Sequence, residues 1–348
     1  MIKRILLLSL FLCCFIACKK DKPQANNPDK PPTTPETSTK GGVFIINEGN
    51  FQWGNASLSY FNLSDSSLNS DLFKSANNRP LGDVFQSMEM IGKTAYLVVN
   101  NSGKIEVINS GDGKSIATIS GLNSPRYFLP YKQKAYVSDY AGGAISVVDL
   151  NSNTLIKTIA CKGWTEEMIL SNGRVYVSNV ESDFVYILNP ETDKLTDSIK
   201  VGYGSNSIKK DMNGKLWVLC GGSEIKGKPG GIYRINPMNN SIEASFLYQN
   251  ANQNPFKLSI NAKGDVLYFI ENGIQKLSIN ATALPASPLI AQESTNFWGL
   301  GIQPQTGHIY VADAIDYVQK GKIMIYSENG TFLHSFSAGV IPGDFYFK

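Results

Sequence analysis

The chain has 348 residues, with 32 Lys and Arg against 29 Asp and Glu and a formal net charge of +3 at pH 7. That near balance carries no cationic footprint and excludes a nucleic-acid partner. With 5 cysteines and 2 histidines, little is left for thiolate or imidazole chemistry.

At the N-terminus, Lys3 and Arg4 precede an apolar run from Ile5 to Ile16, and small Ala17 stands before Cys18. This is the three-part pattern of an export signal over residues 1–17. The run is about twelve residues, too short for a bilayer, which takes roughly twenty. Phe15, Ile16, Ala17 and Cys18 resemble a bacterial lipobox, in which the cysteine is acylated and the signal is cut just before it. The first position departs from the commonest form, which has Leu, and an ordinary cleaved signal is the alternative. Residues 18–41 are rich in Pro, Thr, Asn and Lys with no apolar residue beyond Ala25. Such a segment cannot bury enough surface to offset its ordering entropy, so a disordered tether from lipidated Cys18 is expected. Cys13 and Cys14 fall in the signal, leaving Cys161 and Cys220 in the folded part. No C-x-x-C spacing points to a metal, and a disulfide between them stays open for an exported chain.

From residue 42 onward one unit recurs: an apolar strand with an aromatic, a Gly/Asn/Asp-rich loop, an alternating strand, a tight turn and a last alternating strand. One copy runs Lys134–Asp139, Gly143–Asp149 and Thr154–Ile159; the next runs Val175–Asn179, Phe184–Asn189 and Lys194–Ile199. These are period-two strands, and no segment shows a helical period. The aromatic marker falls at Phe44, Tyr96, Tyr136, Tyr176, Trp217, Tyr268 and Tyr310, at spacings of about 40 to 52 residues. That spacing, with four short strands per unit, predicts an all-β, seven-bladed β-propeller over residues 42–348. The longer spacings mark insertions at 70–81 and in the loops 223–231 and 248–255. Each marker strand needs a preceding strand, and only tether precedes Phe44. The tail from Pro342 to Phe347 supplies it, completing the first blade and closing the ring.

In a propeller, loops joining second to third strands and loops joining successive blades emerge on one face, where a ligand is expected. Aromatics gather in these loops: Phe51, Trp53, Phe85 and Tyr140, then Trp164, Tyr203, Phe297, Trp298 and Tyr317. Polar partners stand beside them at Asn50, Gln52, Gln86, Asn123, Arg126 and Asn206. Flat apolar area combined with hydrogen bonding suits a large amide-bearing or sugar-like ligand. Three residues after the markers stand Asp139, Asn179, Glu271 and Asp313, an oxygen ring that is a weak candidate for calcium. The stronger reading is that Asp and Asn bond their own turns.

The opening from Gly42 to Phe51, with its Asn-Glu-Gly-Asn-Phe segment, and the stretch from Asn55 to Phe61 resemble a family of Bacteroidota propeller surface lipoproteins. These carry surface-layer-type, YncE-like repeats, and the resemblance covers residues 42–348. Some members capture cobalamin and pass it to an outer-membrane transporter, while others have no assigned role. The resemblance therefore implies an outer-membrane lipoprotein, at the cell surface with the periplasmic face as the alternative, with a corrinoid as ligand and a transporter as partner. No resident cofactor is expected.

The alternatives are a calcium-dependent propeller enzyme of lactonase or lyase type and a protein- or glycan-binding scaffold. Histidine-based acid–base schemes are disfavoured, since His308 falls in a predicted turn on the opposite face and His334 in an outer strand. A binding protein rather than an enzyme is therefore expected. Asp197, Ser198 and Ile199 resemble an O-glycosylation acceptor triplet of these bacteria.

Overall fold

Seven four-stranded antiparallel sheets form the ring predicted from the repeat, in a computed structural model that describes residues 41–293 and 295–348. Residues 1–40, which carry the predicted signal, Cys18 and nearly all of the tether, lie outside the described residues. The innermost strand of the first blade is Pro342–Phe347, paired antiparallel with Gly42–Asn47 in the register Val43↔Phe347, Ile45↔Phe345 and Asn47↔Pro342. The C-terminal strand packs beside Phe297–Ile302 of the last blade and Phe85–Ile91 of the second, so the ring has no open seam.

Each sheet is covered on both faces by its neighbours, which is why second strands read as nearly continuous apolar runs. Lys134–Asp139 is buried from Ala135 onward, whereas the outermost Thr154–Ala160 of the same blade is mostly exposed. The core is accordingly divided into seven apolar clusters, one at each blade interface. The marker aromatics anchor these interfaces. The Tyr136 hydroxyl donates to the Asp193 carboxylate, and the Tyr176 hydroxyl to Asn240 Oδ1 at 2.9 Å, each in a turn of the next blade. Those outer turns repeat too: Asp149 and Asn189 accept backbone N–H groups two residues on, while Asn153 and Asp193 adopt positive φ.

One element was not anticipated. Within the insertion at 70–81, Leu72–Asn77 forms a helix, capped by the Asp71 side chain at its start and by left-handed Asn78 at its end. Six residues are too few to display a helical period, and the helix rests on these caps. Phe73 is buried under it, and Arg79 reaches the buried Glu106 carboxylate, which also takes Lys104 Nζ at 3.0 Å. Cys161 and Cys220 are both free and buried, which corrects the open disulfide.

Candidate functional site

The oxygen ring at the ends of the second strands is spent on holding loops. Asp139 Oδ2 accepts the Ser124 N–H at 2.7 Å while its Oδ1 accepts the Ala141 N–H at 2.9 Å. Asp313 Oδ1 likewise takes the N–H groups of Asn296 and Ile315, both at 2.8 Å. Asn179 accepts from the Glu181 N–H and donates to Lys162 O. In each case one side chain ties an inter-blade loop to a second-to-third-strand loop. The calcium reading for Asp139, Asn179, Glu271 and Asp313 is thereby corrected: Glu271 instead receives Asn272 Nδ2 at 2.8 Å. Among the described residues no cluster of three metal-ligating side chains forms.

Loops pinned in this way deliver the chain to the axis in one repeated geometry. In all seven blades the innermost strand carries one residue more than its partner just after its first residue. A bulge of this kind turns a side chain out of the alternating pattern. The bulge positions are Gln86, Arg126 and Glu166, then Asn206, Lys257 and Trp298, with Gly343 in the first blade. Their shared location at the strand starts places the first six around one funnel at the loop end of the axis, a cavity of ≈ 450 Å³. The seventh is completed from elsewhere. A Cβ on Gly343 would overlap Glu48 Oε1, so the Glu48 side chain from the loop after Gly42–Asn47 fills that seat.

Backbone conformation around the funnel is unusual. Val84 (φ 58) and Lys257 (φ 57) line it in the left-handed region that favours glycine, and Ile341 (φ 50) leads into Pro342–Phe347. Strained β-branched residues persist only where surroundings hold them. Here the Asn100 N–H bonds Val84 O at 2.7 Å and the Glu48 N–H bonds Ile341 O at 2.8 Å.

The funnel carries two cations and two carboxylates. Glu166 is 4% exposed, and its Oε1 accepts from Arg126 Nη2 at 2.6 Å, Arg126 Nε at 2.9 Å and Trp164 Nε1 at 2.5 Å. Its Oε2 has no hydrogen-bond partner among the described residues. Burial opposes the Arg126 charge, but Glu166 outweighs it and raises the guanidinium further. Arg126 also donates to Gln86 Oε1 at 2.5 Å and lies over the Trp164 ring, 5.3 Å from its centre. Across the funnel, Trp298 Nε1 donates to Glu48 Oε1 at 2.9 Å. Burial pushes the Glu48 carboxyl above its ordinary range, against the opposing pull of Lys257, Trp298 and Arg126. Just inside, burial and then the charges of Glu166, Glu167 and Asp344 raise the Tyr127 hydroxyl well above its usual value.

Of the residues singled out in the sequence, Gln86, Arg126, Trp164, Asn206 and Trp298 line the funnel together. Tyr140 meets Trp164 edge-on at 4.4 Å, and Tyr317 meets Trp298 edge-on at 5.4 Å, so both extend its walls toward solvent. Phe51, Gln52 and Trp53 stand exposed on one loop of the rim, which Asn50 braces through Tyr317 O and the Asn55 side chain. Asn123 is exposed in the loop that Asp139 holds, and Tyr203 lies under Lys226 at 4.1 Å. Two aromatics require correction. Phe85 and Phe297, 0% and 4% exposed, point into blade interfaces as the residues before the bulge.

Glu48, Glu166, Phe256 and Lys257 also line the funnel and were missed. One signal was available: Gln86, Arg126, Glu166 and Asn206 follow one another at 40-residue intervals, a polar period in phase with the aromatic one.

Fold and site together define a seven-bladed β-propeller with a funnel of aromatic, amide and charged side chains at the loop end of its axis. Residues 41–339 match the family described as Domain of unknown function (DUF5074), and the chain belongs to that family. No curated protein matches the sequence. Among solved structures, a quinoprotein alcohol dehydrogenase-like protein from Bacteroides thetaiotaomicron is similar, with TM-score 0.72 and 16% identity over 88% of this chain and 78% of that one. The periplasmic gluconolactonase of Pseudomonas aeruginosa has TM-score 0.66 and 13% identity over 88% of this chain and 98% of its own. A putative 6-phosphogluconolactonase from Bacteroides fragilis has TM-score 0.64 and 16% identity over 90% of this chain and 100% of its own. At such identities the likeness is one of fold.

Proposed function

We propose that the chain is a cell-surface lipoprotein of the outer membrane that captures a small molecule in the funnel, with a corrinoid such as cobalamin as the ligand and an outer-membrane transporter as its recipient. The observation that carries this reading is the funnel itself, lined by Trp164, Phe256 and Trp298 together with amide and charged groups. A cavity of ≈ 450 Å³ seats one end of a wide ligand, and the rings of Phe51, Trp53, Tyr140 and Tyr317 extend the contact outward. The lipobox-like segment ending at Cys18 supports the anchor.

Binding rather than catalysis is part of the proposal. His308 sits in the turn before Ile309–Asp313 and His334 on the outermost Phe332–Val340, and neither lines the funnel. The ion-paired Arg126 and Glu166 are held in fixed partnership, which suits recognition. Titration of the purified protein with cyanocobalamin, followed by tryptophan fluorescence, tests the ligand. Trp164 and Trp298 are expected to be quenched at micromolar ligand or below, and no binding in that range removes the corrinoid. Binding to glycans alone would favour the scaffold reading.

A further inference from the structure

Of the four charged side chains that line the funnel, three already have a bonding partner. Arg126 and Glu166 hold each other at 2.6 Å, and Glu48 accepts from Trp298 Nε1 at 2.9 Å. The Lys257 ammonium forms neither an ion pair nor a hydrogen bond among the described residues. Two carboxylates share a cavity with it without being paired to another cation, Glu48 in the funnel and Asp344 in a cavity of ≈ 220 Å³ further along the innermost strands, and it bonds to neither. Glu167, which also lines that second cavity, is taken by Lys209 at 2.6 Å.

Two observations turn the ammonium toward the axis. Lys257 stands at the bulge of Phe256–Ile260 and lines both cavities while only partly exposed. Its charge also reaches past the blade of Trp298 to the first blade: burial raises the Glu48 carboxyl, and Lys257 opposes that rise more than Trp298 or Arg126 does. The backbone at Lys257 is held at φ 57, a conformation that glycine adopts freely and lysine only at a cost. In an open funnel, solvent serves an unpaired ammonium. A ligand that displaces this solvent must offer an acceptor in its place, or the desolvation of the charge goes unrelieved.

We propose that Lys257 is the specificity-determining cation of the funnel, and that the ligand group seated against it is an oxyanion, a phosphate ester or a carboxylate. This rests on the funnel being the capture site and deepens that reading. Arg126 does not compete for the group, because Glu166 engages its Nε and Nη2 and Gln86 its Nη1. A neutral group in the same place would leave the ammonium desolvated and unmatched, so charge selects the ligand as well as shape.

The test titrates the intact protein with anions and with neutral partners of similar shape, at low and at moderate salt. Cobinamide phosphate is set against cobinamide, and separately nicotinate against nicotinamide. In the wild type the anion of a pair is expected to bind about tenfold more tightly, with an advantage that shrinks as salt is raised. Lys257→Met keeps the length of the side chain and removes its charge. In that variant the two members of each pair bind alike and without salt dependence, whereas Lys257→Arg keeps the preference. A preference confined to the phosphate identifies a phosphate ester as the group, and one confined to nicotinate identifies a carboxylate. Should neither corrinoid bind while nicotinate behaves as expected, the corrinoid assignment alone falls. Equal wild-type binding within both pairs, an anion preference that survives in Lys257→Met, or no binding of any probe would overturn the inference. If Lys257→Met does not fold, Lys257→Gly, which relieves the left-handed backbone, takes its place.

Discussion

The Glu48 carboxylate occupies the space that any side chain on Gly343 would need, so one position of a sevenfold ring is supplied from the loop after Gly42–Asn47. The two residues belong to opposite ends of the folded chain and meet only because the ring closes. Gly343→Ala should expel the Glu48 side chain from its bond to Trp298 and cost about 1–3 kcal/mol through overpacking. Thermal melting checks this, and an unchanged melting temperature would show that Glu48 does not hold the seat.

Glu48 also makes a pH prediction. Its carboxyl is raised in the folded state because burial disfavours the charge. The protonated form is therefore preferred by the fold below the unfolded pKa, and that preference is lost as pH rises through the folded value. Glu48→Gln, which keeps an acceptor for Trp298 Nε1, is expected to melt higher than wild type at pH 7 and equally near pH 4. A variant that is less stable than wild type at pH 7 contradicts the sign.

Asp193 behaves in the opposite sense. Burial alone would raise its carboxyl, but Lys134, Lys157 and the Tyr136 hydroxyl outweigh it and hold the pKa at about 2. Its contribution is present above the unfolded value near 4 and declines as pH falls toward about 2. Asp193→Asn should lower the melting temperature at pH 7, with the gap narrowing in acid. A gap that stays constant from pH 7 to pH 2 would exclude this ion pair as its source.

Closure of the ring makes the tail indispensable. Removal of residues 342–348 strips the partner from Gly42–Asn47 and exposes the edge of that strand, with Phe345 and Phe347 lost from the interface of the first and last blades. Aggregation or loss of the cooperative transition is expected, read by size-exclusion chromatography and circular dichroism. A monomer with unchanged melting would refute the closure.

Asp139→Ala should release the Ser124 and Ala141 N–H groups and cost about 1–3 kcal/mol. A chelator should leave the wild-type melting temperature where it is, since these oxygens serve loops. Stabilisation by added calcium would restore the metal reading for this ring.

Much of the architecture was legible because each repeat carries its own instructions. Alternating strands, Asp and Asn turns and an aromatic every 40 residues or so are local patterns, and the unpaired Gly42–Asn47 strand required a partner that only the tail could supply. The helix Leu72–Asn77 was invisible since its stability comes from Phe73 and its caps rather than from a period.

The chain order of residues thus determined seven sheets, their closure and the face on which loops gather, all consequences of short-range pairing and burial. Which side chains meet on the axis was decided by the tertiary structure. A single extra residue at the start of each innermost strand turns Glu166 and Lys257 into the funnel and leaves Phe85 and Phe297 in the blade interfaces. A bulge exists only against its partner strand, and a shift of one residue reverses the face a side chain takes. The seat above Gly343, filled by Glu48, likewise arises only when residues hundreds of positions apart are brought around one axis.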